Sequence, residues 1–261
     1  MRRTTRRRLR RGILYAIFVA FVALVALAAD WGRLRQQFLQ IDIAREQFPE
    51  IITIAAKNTL LFTVVAFIGG LILGIVLALM KLSTIGPYRW LATGYIELFR
   101  GLPALLTIFA MAYVLPIALE IRVPFGQVGA GLVGLILVAG AYMAETIRAG
   151  IQGVPKGQAE AARSLGMSPS WTMVSVILPQ AFRIIVPPLT NEFVLLIKDT
   201  SLLFIAGSTI QTKELTTFTR DAQSVYFNGT PLLMAAMLYL FITIPLTRLV
   251  AVLERRMARS R

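Results

Sequence analysis

The chain has 261 residues, of which 57% are apolar and only 15% charged, and its mean hydropathy is +0.72. That composition excludes an ordinary water-soluble domain and points to a membrane protein. Cysteine and histidine are both absent, which excludes disulfides, thiol chemistry, imidazole catalysis and the common zinc sites.

The formal charge of +14 raises the question of nucleic acid, and its distribution answers it. Seven basic residues (Arg2, Arg3, Arg6, Arg7, Arg8, Arg10, Arg11) crowd the first eleven positions, and most of the others lie in short connections between apolar runs. Basic residues placed in this way orient a chain in a membrane, so no nucleic-acid partner is expected.

The first apolar run, Ile13–Ala29, follows the arginine cluster directly. The stretch "FVALVALAADW" offers a small-residue site resembling a signal-peptide cleavage motif, but the run is longer than a usual signal core, so a retained anchor is expected. Trp31, Leu34, Phe38 and Ile41 then recur at helical spacing among polar residues, as in a helix lying at the membrane interface. An ordinary solvated connection is the alternative.

Five more runs approach the length needed to cross about 30 Å of hydrocarbon: Thr59–Met80, Leu102–Leu119, Val128–Ile147, Leu189–Gly207 and Leu232–Leu253. The expected fold class is therefore all-α, a polytopic membrane protein with six transmembrane helices. Pro103, Pro116 and the Lys198-Asp199 pair interrupt two of these runs. Before the run at Leu102, "GPYRWLATGYIELFRG" (Gly86 to Gly101) reads as a segment lying along the inner surface. Gly70 and Gly74 form a GxxxG pair, which serves helix packing more often than transport chemistry. With a cytoplasmic N-terminus, the inner segments together with Arg248 at the inner end of the last run hold 19 Lys and Arg and the outer ones seven, which puts both termini on the cytoplasmic side.

Between the fourth and fifth runs lies a polar connection with well-formed helix signals. Pro155 suits a first helical position, and Gly166 suits the left-handed residue that ends a helix. Ser168 reads as an N-cap with Pro169 in the first turn, and Pro179 is expected to close the second helix. Lys156, Arg163 and Arg183 are too few for a DNA-reading helix-turn-helix. A purely structural hairpin and a docking knob remain.

The residues of this connection carry a resemblance. Glu160-Ala161-Ala162, Gly166, Val176 and Leu178-Pro179 stand at the spacing of the EAA loop of permease subunits of binding-protein-dependent ABC importers. "YIELFRGLPALL", "AYMAETIRAGIQGVPKGQAEAARSLGMS", "LPQAFRIIVPPLTNEF" and "LIKDTSLL" extend it to the polar amino-acid branch of that family, over about residues 57 to 256. Val176 replaces the usual isoleucine, and Leu102 stands where threonine is commoner.

The resemblance implies a five-helix permease core over residues 56–256, with its EAA loop at about 150–187. Residues 1–55, including the first span, would be an addition. It further implies partners: a pair of ATP-binding subunits, a second permease subunit of the same or a related sequence, an extracytoplasmic substrate-binding protein, and an amino acid as substrate. Glu160, Ala161, Ala162, Gly166, Leu178 and Pro179 would form the ATPase-docking site, Glu160 pairing with the ATPase and Gly166 permitting the turn. The sequence adds an independent point, because it has no P-loop; "GVPKGQ" is the nearest imitation and lacks the spacing. No cofactor is therefore expected on this chain, and ATP with its magnesium falls to the partner. The chain itself is expected to be a transport subunit, not an enzyme.

Charges at membrane depth each need an account, at about 2.5–3.5 kcal/mol on insertion scales. Glu97 and Arg100, like Glu145 and Arg148, are spaced to pair along one helix. Asn191, Glu192, Lys198 and Asp199 interrupt the fifth run, where "KDTS" reads as a break in the helix. Glu97, Arg100, Glu145, Asn191, Glu192, Lys198 and Asp199 are candidates for a substrate path, with structural ion pairs as the alternative. The function expected is import of a polar amino acid, glutamate or glutamine before others, driven by ATP. An ion-coupled secondary transporter, using its intramembrane acids for protons or sodium, is the first rival. A scaffold without transport is the second.

Overall fold

A computed structural model describes residues 3–259. Arg2 and Arg261 of the basic termini lie outside the described residues. All regular structure among the described residues is helical. Five helices are long and apolar enough to span a membrane, and a bent pair makes a sixth.

Helix α1 (Arg3–Ala28) is followed by the short helices α2 (Trp31–Phe38) and α3 (Ile41–Glu46). Asp30 caps α2 through a hydrogen bond from the Arg33 amide, and Trp31 Nε1 donates to the carbonyl of Ala26 at 2.7 Å. A wide π-type turn (Ile51–Ala56) then runs without a break into α4 (Lys57–Leu82). Inside this helix the hydroxyls of Thr59 and Thr63 donate to carbonyls one turn back, so both are buried without an orphaned donor.

The third expected span is helical and is set off from the segment before it by a sharp bend. Helix α5 (Gly86–Gly101) meets α6 (Ala104–Tyr113, with a π turn to Ala118) at 104°. Leu102 takes an extended ψ of 141° and Pro103 serves as N-cap, as expected of a residue preceding proline and of a ring that cannot donate. Residues 86–101 thus form a helix of their own, distinct from that span.

Helix α7 (Gly126–Gln152) is the central element, buried against α4, α6 and α10 (Leu178–Asp199). The GxxxG pair explains how α4 comes so near. A Cβ added at Gly70 would sit 2.8 Å from Ala139 Cβ, and one at Gly74 2.9 Å from Met143 Cβ. Without a hydrophobic driving force between helices in lipid, backbone approach of this kind supplies the packing. One apolar cluster (Phe62, Ile108, Leu135, Leu196) fills the end of the bundle near the start of α7. A second (Leu77, Ile96, Ile147, Ile185) fills the opposite end.

Helix α8 (Lys156–Ser164) and the short α9 (Pro169–Thr172) form the hairpin after α7, and α9 continues through a π turn (Met173–Ile177) into α10. Pro179 therefore does not close the second helix, contrary to expectation. A proline ring in mid-helix clashes with the carbonyl one turn back, and the wider π turn at Met173–Ile177 immediately before it relieves that crowding. The "KDTS" break is likewise a tightening, since α10 passes at Thr200 into a 3₁₀ turn (Thr200–Ile205). Helices α11 (Leu215–Tyr226) and α12 (Thr230–Arg259) complete the described residues.

Candidate functional site

The α8–α9 hairpin is shaped by its caps. Gly166 has φ +86°. Its amide donates to Arg163 and that of Met167 to Ala162, the paired bonds of a Schellman motif. Ser168 then caps α9, its hydroxyl accepting from the Trp171 amide at 3.3 Å with Pro169 at the first position. Pro155 stands one residue earlier than expected, as the N-cap of α8.

Glu160, Ala161, Gly166 and Pro179 lie on the outside of this hairpin, and Leu178 is half-buried. Ala162 departs from the expected docking surface: it is 5% exposed and faces into the hairpin, where a methyl group lets α8 pack on the π turn before α10. In its place the hairpin presents Leu165, 85% exposed, and Trp171, neither of which the sequence reading singled out. Their signal was an apolar residue at the end of a polar helix and an aromatic in the turn after Pro169. At its base the hairpin is tied to the bundle by Ile177, Ala181 and Ile185, all buried with Ile147 and Ile151 of α7. Gln180 Nε2 donates one turn back to the Val176 carbonyl at 2.9 Å and across to Oε1 of Gln158 on α8 at 3.4 Å.

Near the same end, Glu145 on α7 holds two cations. Lys81 Nζ of α4 approaches Oε2 at 3.1 Å, and Arg148 donates to both carboxylate oxygens, through Nε at 3.1 Å and through Nη2. The Glu145–Arg148 pair is thus present as the spacing indicated, with Lys81 as a third member that sequence separation concealed. Glu97 and Arg100 do not pair. Arg100 lies 5.4 Å from the ring centroid of Tyr142 on α7, a cation–π contact that draws it across to the neighbouring helix.

On α10 the four polar candidates form two stripes, each spaced by two helical turns. Glu192 and Asp199 are half-buried, while Asn191 and Lys198 are exposed. No side-chain hydrogen bond or ion pair joins any of the four to another described residue, so the ion-pair network that was their structural alternative is not formed among the described residues.

At the other end of the bundle the sequence reading passed over Glu214, which is 1% exposed. It caps α11, accepting from the amides of Thr216 at 2.6 Å and Thr217 at 2.7 Å. Burial pushes its carboxyl up, against the downward pull of the hydrogen bonds from Thr217, Thr216 and Tyr239. Asn58 on α4 donates to the carbonyls of Gln211 and Lys213, anchoring the same loop.

Comparison with known proteins gives this geometry its context. The family described as "Binding-protein-dependent transport system inner membrane component" matches residues 70–259. The Bacillus subtilis protein named "Probable glutamine ABC transporter permease protein GlnM" is 41% identical over 206 residues, which cover 78% of this chain and 91% of the relative. The L-cystine transport system permease protein TcyB of the same organism is 36% identical over 223 residues, covering 84% and 91% respectively. A solved structure titled "Crystal structure of an amino acid ABC transporter with histidines" superposes with a TM-score of 0.75 at 35% identity. It covers 84% of this chain and 99% of that one.

Proposed function

The chain belongs to the binding-protein-dependent transport system inner membrane component family, and on that premise we propose how it works as the permease component of an amino-acid ABC importer. It lines the path of a polar amino acid, glutamine or glutamate before others, and takes its drive from a separate pair of ATP-binding subunits that hold ATP and magnesium. Residues 56–256 form the permease core and residues 1–55 are an addition to it. A second permease, identical or related, completes the path. An extracytoplasmic binding protein delivers the substrate, and both termini lie in the cytoplasm.

One observation carries the coupling: α9, its π turn and α10 are a single continuous helix. Trp171 lies on this helix and α8 packs on its π turn, so the hairpin surface that also bears Glu160, Ala161 and Leu165 is the outer end of a lever. Its other end carries the unpaired Glu192, Lys198 and Asp199. Force on α9 reaches the candidate path through helix alone, with Pro187 and Pro188 weakening its hydrogen-bond ladder midway. An ion-coupled carrier has no use for such a lever.

The experiment is ATP-driven uptake by the reconstituted complex carrying Glu160→Lys. Uptake is expected to fall while insertion and permease folding are retained. Undiminished uptake would overturn the docking assignment. Stimulation of ATP hydrolysis across a panel of amino acids, with the binding protein present, tests the substrate reading, and glutamine or glutamate should stimulate most.

A further inference from the structure

At the end of the bundle away from the hairpin, α2 is stitched to the corner between α11 and α12. The Gly229 amide donates to the Gln37 carbonyl at 2.7 Å, Asn228 Nδ2 to the Gln36 carbonyl at 2.8 Å, and the Gln40 amide to Thr230 Oγ1 at 3.0 Å. Held at this distance, α2 and α3 do not close on α12. A groove of about 590 Å³ remains, with Trp31, Leu34 and Phe38 on one wall and Leu233, Met234 and Met237 on the other.

Two features of the groove identify an occupant. It is continuous with the exposed apolar face of α12, a helix long and apolar enough to cross a membrane, because Met237 also belongs to the face formed with Leu240, Phe241 and Ile244. Its one charged lining residue is Arg35, which has no ion-pair partner among the described residues, while the nearby Asp30 is taken by Arg33 at 3.0 Å. The rim's other polar groups, the Gln40 amide and the Thr230 hydroxyl, are bonded to each other. An occupant must therefore be long and apolar, enter from the bilayer, and end in an anion at the rim.

We propose that the groove takes one acyl chain of an anionic phospholipid from the adjoining leaflet, with Arg35 receiving the phosphate. The inference rests on the placement of α12 in the membrane and is independent of the substrate. An amphipathic helix carrying tryptophan and arginine sits at headgroup depth, where its apolar side meets acyl chain and its cation meets phosphate. The lipid completes the wall that the hydrogen bonds between α2 and α12 leave open.

The test is native mass spectrometry of the purified, delipidated complex titrated with phosphatidylglycerol or phosphatidylcholine. The wild type should retain one phosphatidylglycerol per permease, preferred about fivefold over phosphatidylcholine, the worth of one basic side chain at a charged headgroup. Arg35→Gln should remove the preference and keep the chain bound. Ala44→Phe, which fills the groove from α3, should abolish retention of both lipids. Equal affinity of the wild type for the two lipids would overturn the proposal, as would undiminished retention in a stably folded Ala44→Phe complex. Because the chain lacks cysteine, a single Met237→Cys variant tests for a protein occupant: cross-linking to a second copy would also overturn it.

Discussion

Lys81 Nζ at the end of α4 lies 3.1 Å from Oε2 of Glu145 on α7, which Arg148 grips from the next turn. One carboxylate is thus shared by two half-buried cations beside the base of the hairpin. Removing the acid leaves two like charges unpaired, whereas removing Lys81 leaves the Glu145–Arg148 pair intact. Glu145→Gln should cost about 1–3 kcal/mol, the penalty of orphaned charged partners discounted for partial exposure. Lys81→Gln should cost clearly less. Thermal unfolding of the two variants in detergent reads the order directly, and equal losses would deny Glu145 its place as the shared partner.

Close packing of α4 on α7 makes a second prediction. At Gly74 an added methyl would meet Met143 Cβ at 2.9 Å and the Ala144 amide nitrogen at 3.0 Å, one of them main chain that cannot rotate away. Gly74→Ala should destabilise by about 1–3 kcal/mol, the usual cost of overpacking. At Gly86 nothing lies within 4 Å of the added atom, and Gly86→Ala should be neutral or slightly stabilising. An unchanged or raised melting temperature for both variants would show that helix propensity, not contact, governs both sites.

What could be read in the sequence, and what could not, divides along physical lines. Gly166, Ser168 and Pro169 announce the hairpin because capping and left-handed turns are local chemistry, decided within a few residues. The burial of Ala162 beside the exposed Ala161 follows from how α8 rolls against the helix before α10, which no local rule states. Pro179 reads as a stop, yet the π turn ahead of it lets the helix run on. Glu97 and Arg100 have the spacing of a pair, but the ring of Tyr142 competes from another helix. Lys81 reaches Glu145 across 64 positions, and Glu214 is buried by a loop that Asn58 anchors from far along the chain. Elements and caps are local properties, whereas the pairing of charges depends on tertiary packing.

Glu214 supplies a prediction in pH. Its carboxyl is raised above the ordinary value by burial, so the folded chain binds that proton more tightly than the unfolded one. The resulting stability is fully present below the unfolded carboxylate range and is lost as pH rises through the higher folded value. Glu214→Gln keeps an oxygen to accept from the Thr217 amide and removes the titration. Melting temperatures of wild type and variant, measured from acid to neutral pH, should therefore draw apart in favour of the wild type as pH falls. A difference independent of pH would mean that the buried carboxyl does not titrate differently in the two states.

The stripes on α10 distinguish path from scaffold. Lys198 is exposed and Asp199 half-buried, and neither has a hydrogen-bond or ion-pair partner among the described residues, so their neutral isosteres break no contact within the chain. Lys198→Gln and Asp199→Asn should leave thermal stability within about 0.5 kcal/mol, as at other sites without a specific interaction. If the side chains meet the carboxylate and ammonium of a passing amino acid, losing one charge removes an interaction made in binding. The substrate concentration for half-maximal uptake should then rise, by about tenfold for a charge-assisted bond of roughly 1.5 kcal/mol. Amino-acid analogues lacking the matching charge should lose this sensitivity: one without the carboxylate for Lys198, one without the ammonium for Asp199. Variants that lose expression or melting temperature while uptake per folded complex is unchanged would assign these charges to an interface with the second permease instead.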